Sequence, residues 1–287
     1  MMDAEVLVIG AGPAGMTAAL QLQRSGIRPL LVEQDRPGGA LLNAGLVENY
    51  PGFPAGVSGP ALVARFLDHH RSIGGEIVAA RVARVSPAGN AWAISMSGQE
   101  ILARCVVVAT GTVPLKLDIP GEAELAGRRV FHELRDLPPE TSGTVAIIGG
   151  GDVAFDYALT LARRGTRVSF IMRSGTPQCL PLLRERVAAC PNIYLILNAA
   201  PARLEESGDS VRVHFREGGP EPVISDGLLV AIGRRPDTSF LAAGIAAQPP
   251  LWFAGDVVNG SFRQVGISVG DGLRCAMEIN RYLRGNR

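Results

Sequence analysis

Apolar residues in this chain gather in short runs with almost no polar interruption. Val6-Leu-Val-Ile9, Val106-Val-Val-Ala109, Val145-Ala-Ile-Ile148 and Leu228-Leu-Val-Ala231 all read as buried strands. Between the runs the spacing turns helical. The pattern predicts a strand over 4–9, a helix over 13–25 and a strand over 27–33. A helix follows over 59–73 (Leu62, Phe66, Ile73), with His69 and His70 near its end as an exposed pair rather than a metal site. Short alternations at Ile77-Val78, Val82, Val85 and 92–97 lead to a strand over 101–109. A second series opens near Val130 and continues with strands over 193–197, 211–215 and 228–232. Residues 251–256 form a strand ending in a polar turn, and 265–283 a last helix. Glycine and proline mark loops at 38–39 and 47–54 and linkers at 115–121 and 233–238. The expected organisation is a first domain of 1–115 and 238–287 with a second, 119–234, inserted into it.

Two stretches are copies of one another. Residues 6–33 and 145–172 align without a gap, with identities at Val6/Val145, Ile9/Ile148, Gly10/Gly149, Gly12/Gly151 and Gly26/Gly165 among others. Each reads strand, glycine turn, helix, strand, the fingerprint of a dinucleotide site. In the first copy Gly10 permits the tight turn, Gly12 admits a pyrophosphate and Gly15 lets the helix pack on the sheet. The helix N-terminus offers free N–H groups to the phosphates. Glu33, ending the second strand, can accept both hydroxyls of an adenosine ribose. In the second copy Gly149, Gly151 and Ala154 form the turn, with Asp152 and Val153 between. Met172 stands where Glu33 does, so a strict NAD preference loses its usual support. Arg173, followed by Ser174, can pair with a 2′-phosphate. Two such sites suggest two dinucleotides and electron transfer between them.

Composition narrows the field. At 287 residues the length suits about two domains. A net charge of +1 argues against a nucleic-acid partner. Lys116 is the single lysine among 28 basic residues, which limits Schiff-base chemistry. Cys105, Cys179, Cys190 and Cys275 are widely spaced, with no C-x-x-C and no zinc-type cluster, so no metal site is expected. They read as ordinary thiols of a reducing compartment, with Cys105 in the core. No signal-type stretch and no membrane-length apolar run is present, so the expectation is a cytoplasmic protein.

The motifs together resemble the low-molecular-weight thioredoxin reductase family, over essentially the whole chain. The resemblance implies an α/β fold of two Rossmann-like domains, FAD on the first and NADPH on the second, and a homodimer. It places FAD at Gly10, Gly12, Gly15 and Glu33. The family segment along the flavin corresponds to Gly38-Gly39-Ala40-Leu41 and Glu48-Asn49-Tyr50-Pro51-Gly52, with Ala40 replacing the usual glutamine. Thr110 and Gly111 close the first segment. Gly255-Asp256 matches the motif that meets the ribityl chain, and Arg263-Gln264-Val265 the motif at the pyrimidine edge. A helix beginning at Val265 would stabilise negative charge developing on the flavin. The resemblance assigns Gly149, Gly151, Asp152, Val153, Ala154, Arg173 and Ser174 to NAD(P). Only one arginine of the family's usual cluster is kept in place, and Arg184 is a partial substitute.

The largest departure concerns the chemistry. The family carries C-x-x-C shortly before the second glycine motif. Residues 128–139 contain no cysteine there. They hold His132, Glu133 and Asp136, which are either proton donors to a substrate reduced at the flavin or solvated linker residues. The leading expectation is an FAD enzyme that takes hydride from NADPH or NADH and passes electrons to an unidentified small molecule or redox protein. A ferredoxin or flavodoxin reductase, a flavin-dependent oxidase and a non-catalytic redox sensor remain open alternatives.

Overall fold

The computed structural model describes residues 3–139, 141, 143–245 and 250–285. From the N-terminus, β1 (Ala4–Ile9) enters the glycine turn and α1 (Pro13–Arg24), and β2 (Leu30–Glu33) follows. After α2 (Gly59–Ser72) come β3 (Ile77–Ala79), β4 (Val82–Ala88), β5 (Ala91–Met96), β6 (Gln99–Val108) and β7 (Thr112–Pro114). The short α3 (Glu122–Leu125) and β8 (Val130–Phe131) precede the repeat of the opening motif: β9 (Thr144–Gly149), α4 (Asp152–Arg163) and β10 (Arg167–Ile171). Then come α5 (Pro181–Ala188), β11 (Ile193–Ile196), β12 (Pro201–Ser207), β13 (Ser210–Phe215), β14 (Val223–Ser225) and β15 (Gly227–Ala231). The chain closes with β16 (Arg234–Pro236), β17 (Leu251–Phe253) and α6 (Val265–Gly285).

Two units result. One is Met1–Leu42, Val47–Val113 and Arg235–Arg287; the other is Asn43–Leu46 and Pro114–Arg234. In the first, the sheet runs β3-β2-β1-β6-β5-β4, with β17 also pairing β6. The strand β6 changes partner along its length. Its first half pairs β5 antiparallel (Ile94↔Ile101), and its second half pairs β17 parallel (Val107↔Trp252). Its other edge pairs β1 in parallel register, Val8 against Val107. A core of Val6, Val8, Leu22, Leu31, Val107 and Ile279 lies against α1 and α6. Burying each such side chain contributes about 1.5–3 kcal/mol.

The second unit has a parallel sheet in the order β11-β10-β9-β15-β8. Its central strands carry Val145, Ile147, Phe170 and Leu229, all fully buried. A separate antiparallel sheet β12-β13-β14 adds Val211 and Val213 to a further cluster. The strands β7 and β16, where the chain leaves the first unit and returns, pair with each other.

Three expectations need correction. The strand predicted from residue 27 begins at Leu30, because Pro29 has no N–H to give a ladder. Residues 43–46, placed in the first domain by sequence, group with the second unit. The cause is bonding to residues far along the chain: Asn43 Nδ2 donates to Glu133, Asn43 Oδ1 accepts from the Arg135 N–H at 3.0 Å, and the Gly45 N–H donates to Asp156 at 2.7 Å. The histidine pair is split. His69 is exposed, but His70 is 1% exposed, its ring pressed on Gly75, where an added Cβ would lie 2.4 Å from the imidazole.

Burial pushes the His70 pKa below the usual 6.5, helped by neighbouring His69 and opposed by the contact to the Glu76 carbonyl. The unfolded chain therefore takes up a proton near its own pKa that the folded chain refuses. The neutral ring's contribution is complete above 6.5 and is lost as pH falls from there toward the lower folded value. Urea unfolding should show stability falling between about pH 7 and pH 5, with a smaller fall in His70→Gln. An equal fall in both proteins would assign the acid sensitivity to other groups.

Candidate functional site

The first glycine turn is built by close backbone approach. Gly10 has φ +100°, and a Cβ on it would stand 2.5 Å from the Ala109 carbonyl oxygen. A Cβ on Gly15 would stand 1.8 Å from the Gly10 oxygen, so α1 can lie this close to the turn only with glycine there. At Gly12 an added Cβ meets nothing within 4 Å. That open face lies at the start of a twelve-residue helix, where free N–H groups and the helix dipole favour a phosphate. Beside it is a cleft lined by Ile9, Gly10, Val32, Glu33, Gln34, Ala80, Val82, Thr110, Asp237 and Phe240. Glu33 accepts from the Ala11 N–H at 2.8 Å and the Asp35 N–H at 3.0 Å, so the carboxylate is held at the rim of the turn. Open phosphate face, apolar walls and a rim carboxylate together fit the adenosine end of a dinucleotide.

The other residues assigned to this site lie in the same unit. Gly39 and Leu41 belong to a 3-10 turn, Gly39–Asn43, and a Cβ on Gly39 would be 3.8 Å from Gly12 Cα. Asn49 Nδ2 donates to Gln264 Oε1 at 2.8 Å, joining two motifs 215 positions apart. Thr110 Oγ1 donates to the Asp237 carbonyl at 2.7 Å, and the Asp237 N–H to the Gly111 carbonyl at 3.2 Å. Gly255 and Asp256 form a 3-10 turn, Gly255–Val257, and Ser268 donates to Asp256 at 3.2 Å. Arg263 and Gln264 lead directly into α6, which begins at Val265. Sequence reasoning missed Asp237 and Phe240 in the cleft: Asp237 sits in the return linker and Phe240 lies just beyond it. It also missed Asp271, the buried carboxylate that holds Gly255, although a charge between two glycines in a helix was a signal.

The second turn solves the same problem differently. A Cβ on Gly149 would be 2.4 Å from the Ala231 oxygen and 2.7 Å from Ala154 Cβ. Here the third position carries a methyl group, and the first glycine makes room for it. Ala109-Thr110-Gly111 and Ala231-Ile232-Gly233 play matching parts, so the repeat extends past the aligned stretch. Asp152 opens α4 and accepts from the Leu180 N–H at 2.8 Å, while the Gln178 N–H donates to the Gly150 carbonyl at 2.8 Å. Val153 is exposed. Met172 is turned into the core, leaving no acid at the strand end. Arg173 and Ser174 are exposed just beyond it, and Ser174 Oγ accepts from the Thr176 N–H at 3.1 Å.

The segment expected to hold either proton donors or solvated residues is neither free nor uniformly wet. Glu133 is buried and pairs with Arg234 at 2.8 Å, besides accepting from Asn43. His132 Nε2 meets Glu122 Oε1 at 2.9 Å, and Glu122 is itself buried, accepting from the N–H groups of Leu117 and Asp118. Of the three, only Asp136 is exposed. The solvated-linker expectation therefore fails for His132 and Glu133, because each is drawn inward by an oppositely charged or hydrogen-bonding partner. All four cysteines are free. Burial pushes the Cys105 thiol up to about 12 and Cys275 up to about 11, so both stay protonated and unreactive near neutrality. Burial also raises Cys179, which with Cys190 packs against the core of the second unit. Among the described residues no histidine, cysteine and carboxylate cluster could hold a metal, and no helix is long and apolar enough to cross a membrane.

Fold and site define a class: a protein with two dinucleotide-binding units, one rimmed by an acid and one not. The sequence pattern of the pyridine nucleotide-disulphide oxidoreductases matches residues 4–272, and the chain belongs to that family. It is 31% identical to the bifunctional thioredoxin reductase/thioredoxin of Mycobacterium leprae over 97% of its own length, spanning 66% of that protein. It is 30% identical to the thioredoxin reductase of Streptomyces coelicolor, over 97% of this chain and 93% of that one. Among solved structures, Lactococcus lactis thioredoxin reductase superposes with a TM-score of 0.89 at 27% identity, covering 99% of this chain and all of that one. Both domains are Rossmann-like, and the chain is an oxidoreductase of a family whose thioredoxin reductase members use FAD and NADPH.

The two turns predict opposite tolerances. Gly15→Ala should destabilise by about 1–3 kcal/mol or more through overpacking on the Gly10 carbonyl, and should abolish tight FAD binding. Ala154→Gly should cost only about 0.5–1 kcal/mol, the helix penalty of glycine. Urea unfolding of both variants checks this; equal losses would contradict the asymmetry.

Proposed function

We propose that this chain takes hydride from a reduced nicotinamide, NADPH in preference to NADH, onto FAD, and passes electrons from the flavin directly to an acceptor with no protein dithiol between. On this reading the FAD domain is 1–115 and 238–287 and the nicotinamide domain 119–234, apart from the docked segment 43–46. The observation that carries it is the segment ahead of the second glycine turn. Where a dithiol would be expected from the resemblance, Glu133 is buried in an ion pair with Arg234, and no thiol is present. Disulphide exchange needs a thiolate, and Cys105 and Cys275 are held protonated by burial.

The bound cofactors supply two-electron chemistry, hydride donation by the nicotinamide and electron uptake by the flavin. The chain's own residues bind and orient. Gly10, Gly12 and the start of α1 receive the FAD pyrophosphate, and Glu33 the adenosine ribose. Gly39, Leu41, Asn49, Thr110, Gly111, Gly255 and Asp256 line the remainder, and Arg263, Gln264 and Val265 meet the pyrimidine edge. Gly149, Gly151, Asp152, Val153 and Ala154 receive the nicotinamide dinucleotide. Arg173 and Ser174 read the 2′-phosphate, for which the buried Met172 offers no repelling carboxylate. Glu133 and His132 serve best as structural anchors of their segment, leaving exposed Asp136 as the remaining candidate proton donor. A homodimer in the cytoplasm, acting on a small molecule or a redox protein, completes the reading.

Anaerobic titration with NADPH tests it. One equivalent per flavin should bleach the FAD band, with no gain in titratable thiols. Uptake of a second equivalent accompanied by two new thiols would contradict the direct route. A flavin that neither NADPH nor NADH bleaches would favour an oxidase or a sensor.

Arg173→Ala should raise the Michaelis constant for NADPH about tenfold and leave that for NADH nearly unchanged, since only NADPH carries the 2′-phosphate. Equal effects on both would remove Arg173 from the phosphate site.

A further inference from the structure

Asp271 sits two turns into α6, between Gly270 and Gly272, and is 7% exposed. A charge at that depth needs partners. Its Oδ2 accepts from the Gly255 N–H at 3.2 Å and from Asn259 Nδ2 at 2.5 Å, and its Oδ1 accepts from Arg274 at 2.7 Å. The Arg274 side chain is 66% exposed, so that bond compensates charge at the surface and anchors little. The other two bonds grip the turn Gly255–Val257 at its beginning and just beyond its end. Asn259 completes the grip by donating to the Gly255 carbonyl at 3.0 Å. One turn earlier on the same face of α6, Ser268 donates to Asp256.

The turn cannot relax away from this grip. Gly255 has φ +79°, and a Cβ there would stand 2.9 Å from Ala14 Cβ on α1. A Cβ on Gly272, next to Asp271, would stand 2.2 Å from the Ala14 carbonyl oxygen. At Ala14, then, α1, the Asp256 turn and α6 meet in backbone-level contact. α1 starts at the pyrophosphate turn, and α6 starts at Val265.

We propose that Asp271 is a positioning residue of the FAD site: its carboxylate holds the Gly255–Asp256 turn onto α6, so that Asp256 and the α6 N-terminus are presented to the flavin as one rigid piece. This rests on the FAD reading of that site. Asp271 acts through Asp256 and does not itself bind the cofactor. Both bonds of the grip fall on Oδ2, so asparagine could keep them with its single oxygen, whereas alanine removes the acceptor altogether.

The test is a double-mutant cycle on the holoprotein, with Asp271→Ala, Asp256→Asn and the pair. Dissociation of FAD is read on dilution from the recovery of flavin fluorescence, alongside the visible absorption band. Asp271→Ala should weaken FAD about tenfold and shift the band, as Asp256→Asn should. The double variant should bind no more weakly than the weaker single variant, since both remove the same contact. Arg274→Ala should leave affinity and spectrum close to wild type. If Asp271→Ala does not fold, Asn259→Ala opens the other side of the grip without altering the buried charge and enters the same cycle. Additive losses, or an Asp271→Ala protein with wild-type affinity and spectrum, overturn the proposal while leaving FAD binding intact. A wild-type protein that binds no FAD overturns the FAD reading itself and this proposal with it.

Discussion

Everything in the first unit depends on one close approach, the backbone of the glycine turn against the end of the neighbouring strand. The Gly10 Cα lies so near the Ala109 carbonyl that no side chain fits, and Gly15 lies nearer still to the Gly10 carbonyl. This contact aims the start of α1 into the open face at Gly12. It also brings α1 near enough for Gly272 and Gly255 to pack on Ala14. Loosening any one of these contacts would move the phosphate-facing turn and the Asp256 turn together. The second unit keeps the strand-end contact, Gly149 on Ala231, but lets Ala154 carry its methyl group. The two sites are therefore the same construction with a different tolerance at one position.

The chemistry follows from what surrounds these turns. An acid at the end of the second strand marks the first site, and a buried methionine followed by an exposed arginine marks the second. Between the second site and the linker, the segment that the resemblance would give a dithiol instead carries a buried carboxylate paired with arginine. Breaking such a pair by removing one partner typically costs about 3–5 kcal/mol, because the other charge is left buried and alone. Glu133 thus holds the segment in place, and its engagement with Arg234 and Asn43 leaves it poorly suited to proton delivery.

Much of this was legible in the sequence. Continuous apolar runs mark β1, β6, β9 and β15, since strands covered on both faces tolerate no polar residue. The glycine spacing, Glu33 and the gapless repeat gave both nucleotide turns, because backbone approach leaves a direct trace in residue type. What stayed hidden was set by contacts between distant parts of the chain. Nothing local says that Asn43 and Gly45 bond to Glu133 and Asp156, that His70 folds inward over Gly75, or that Asp237 lines the cleft beside Glu33. His132 and Glu133 look solvated in sequence because their partners, Glu122 and Arg234, are reached only by the fold. Short strands such as β8, β14 and β16 are two or three residues long and carry too few positions to show a period.

The central claim is that electrons leave the protein without passing through a cysteine. The most direct measurement is NADPH-driven reduction of an artificial one-electron acceptor by a variant with Cys105, Cys179, Cys190 and Cys275 all replaced, compared with wild type under anaerobic conditions. The account predicts that flavin reduction and acceptor turnover persist at near wild-type rates once any loss of folded protein at Cys105 and Cys275 is corrected for. Efficient NADPH-dependent thioredoxin reduction by the wild type that disappears on replacing Cys179 or Cys190 alone would contradict it.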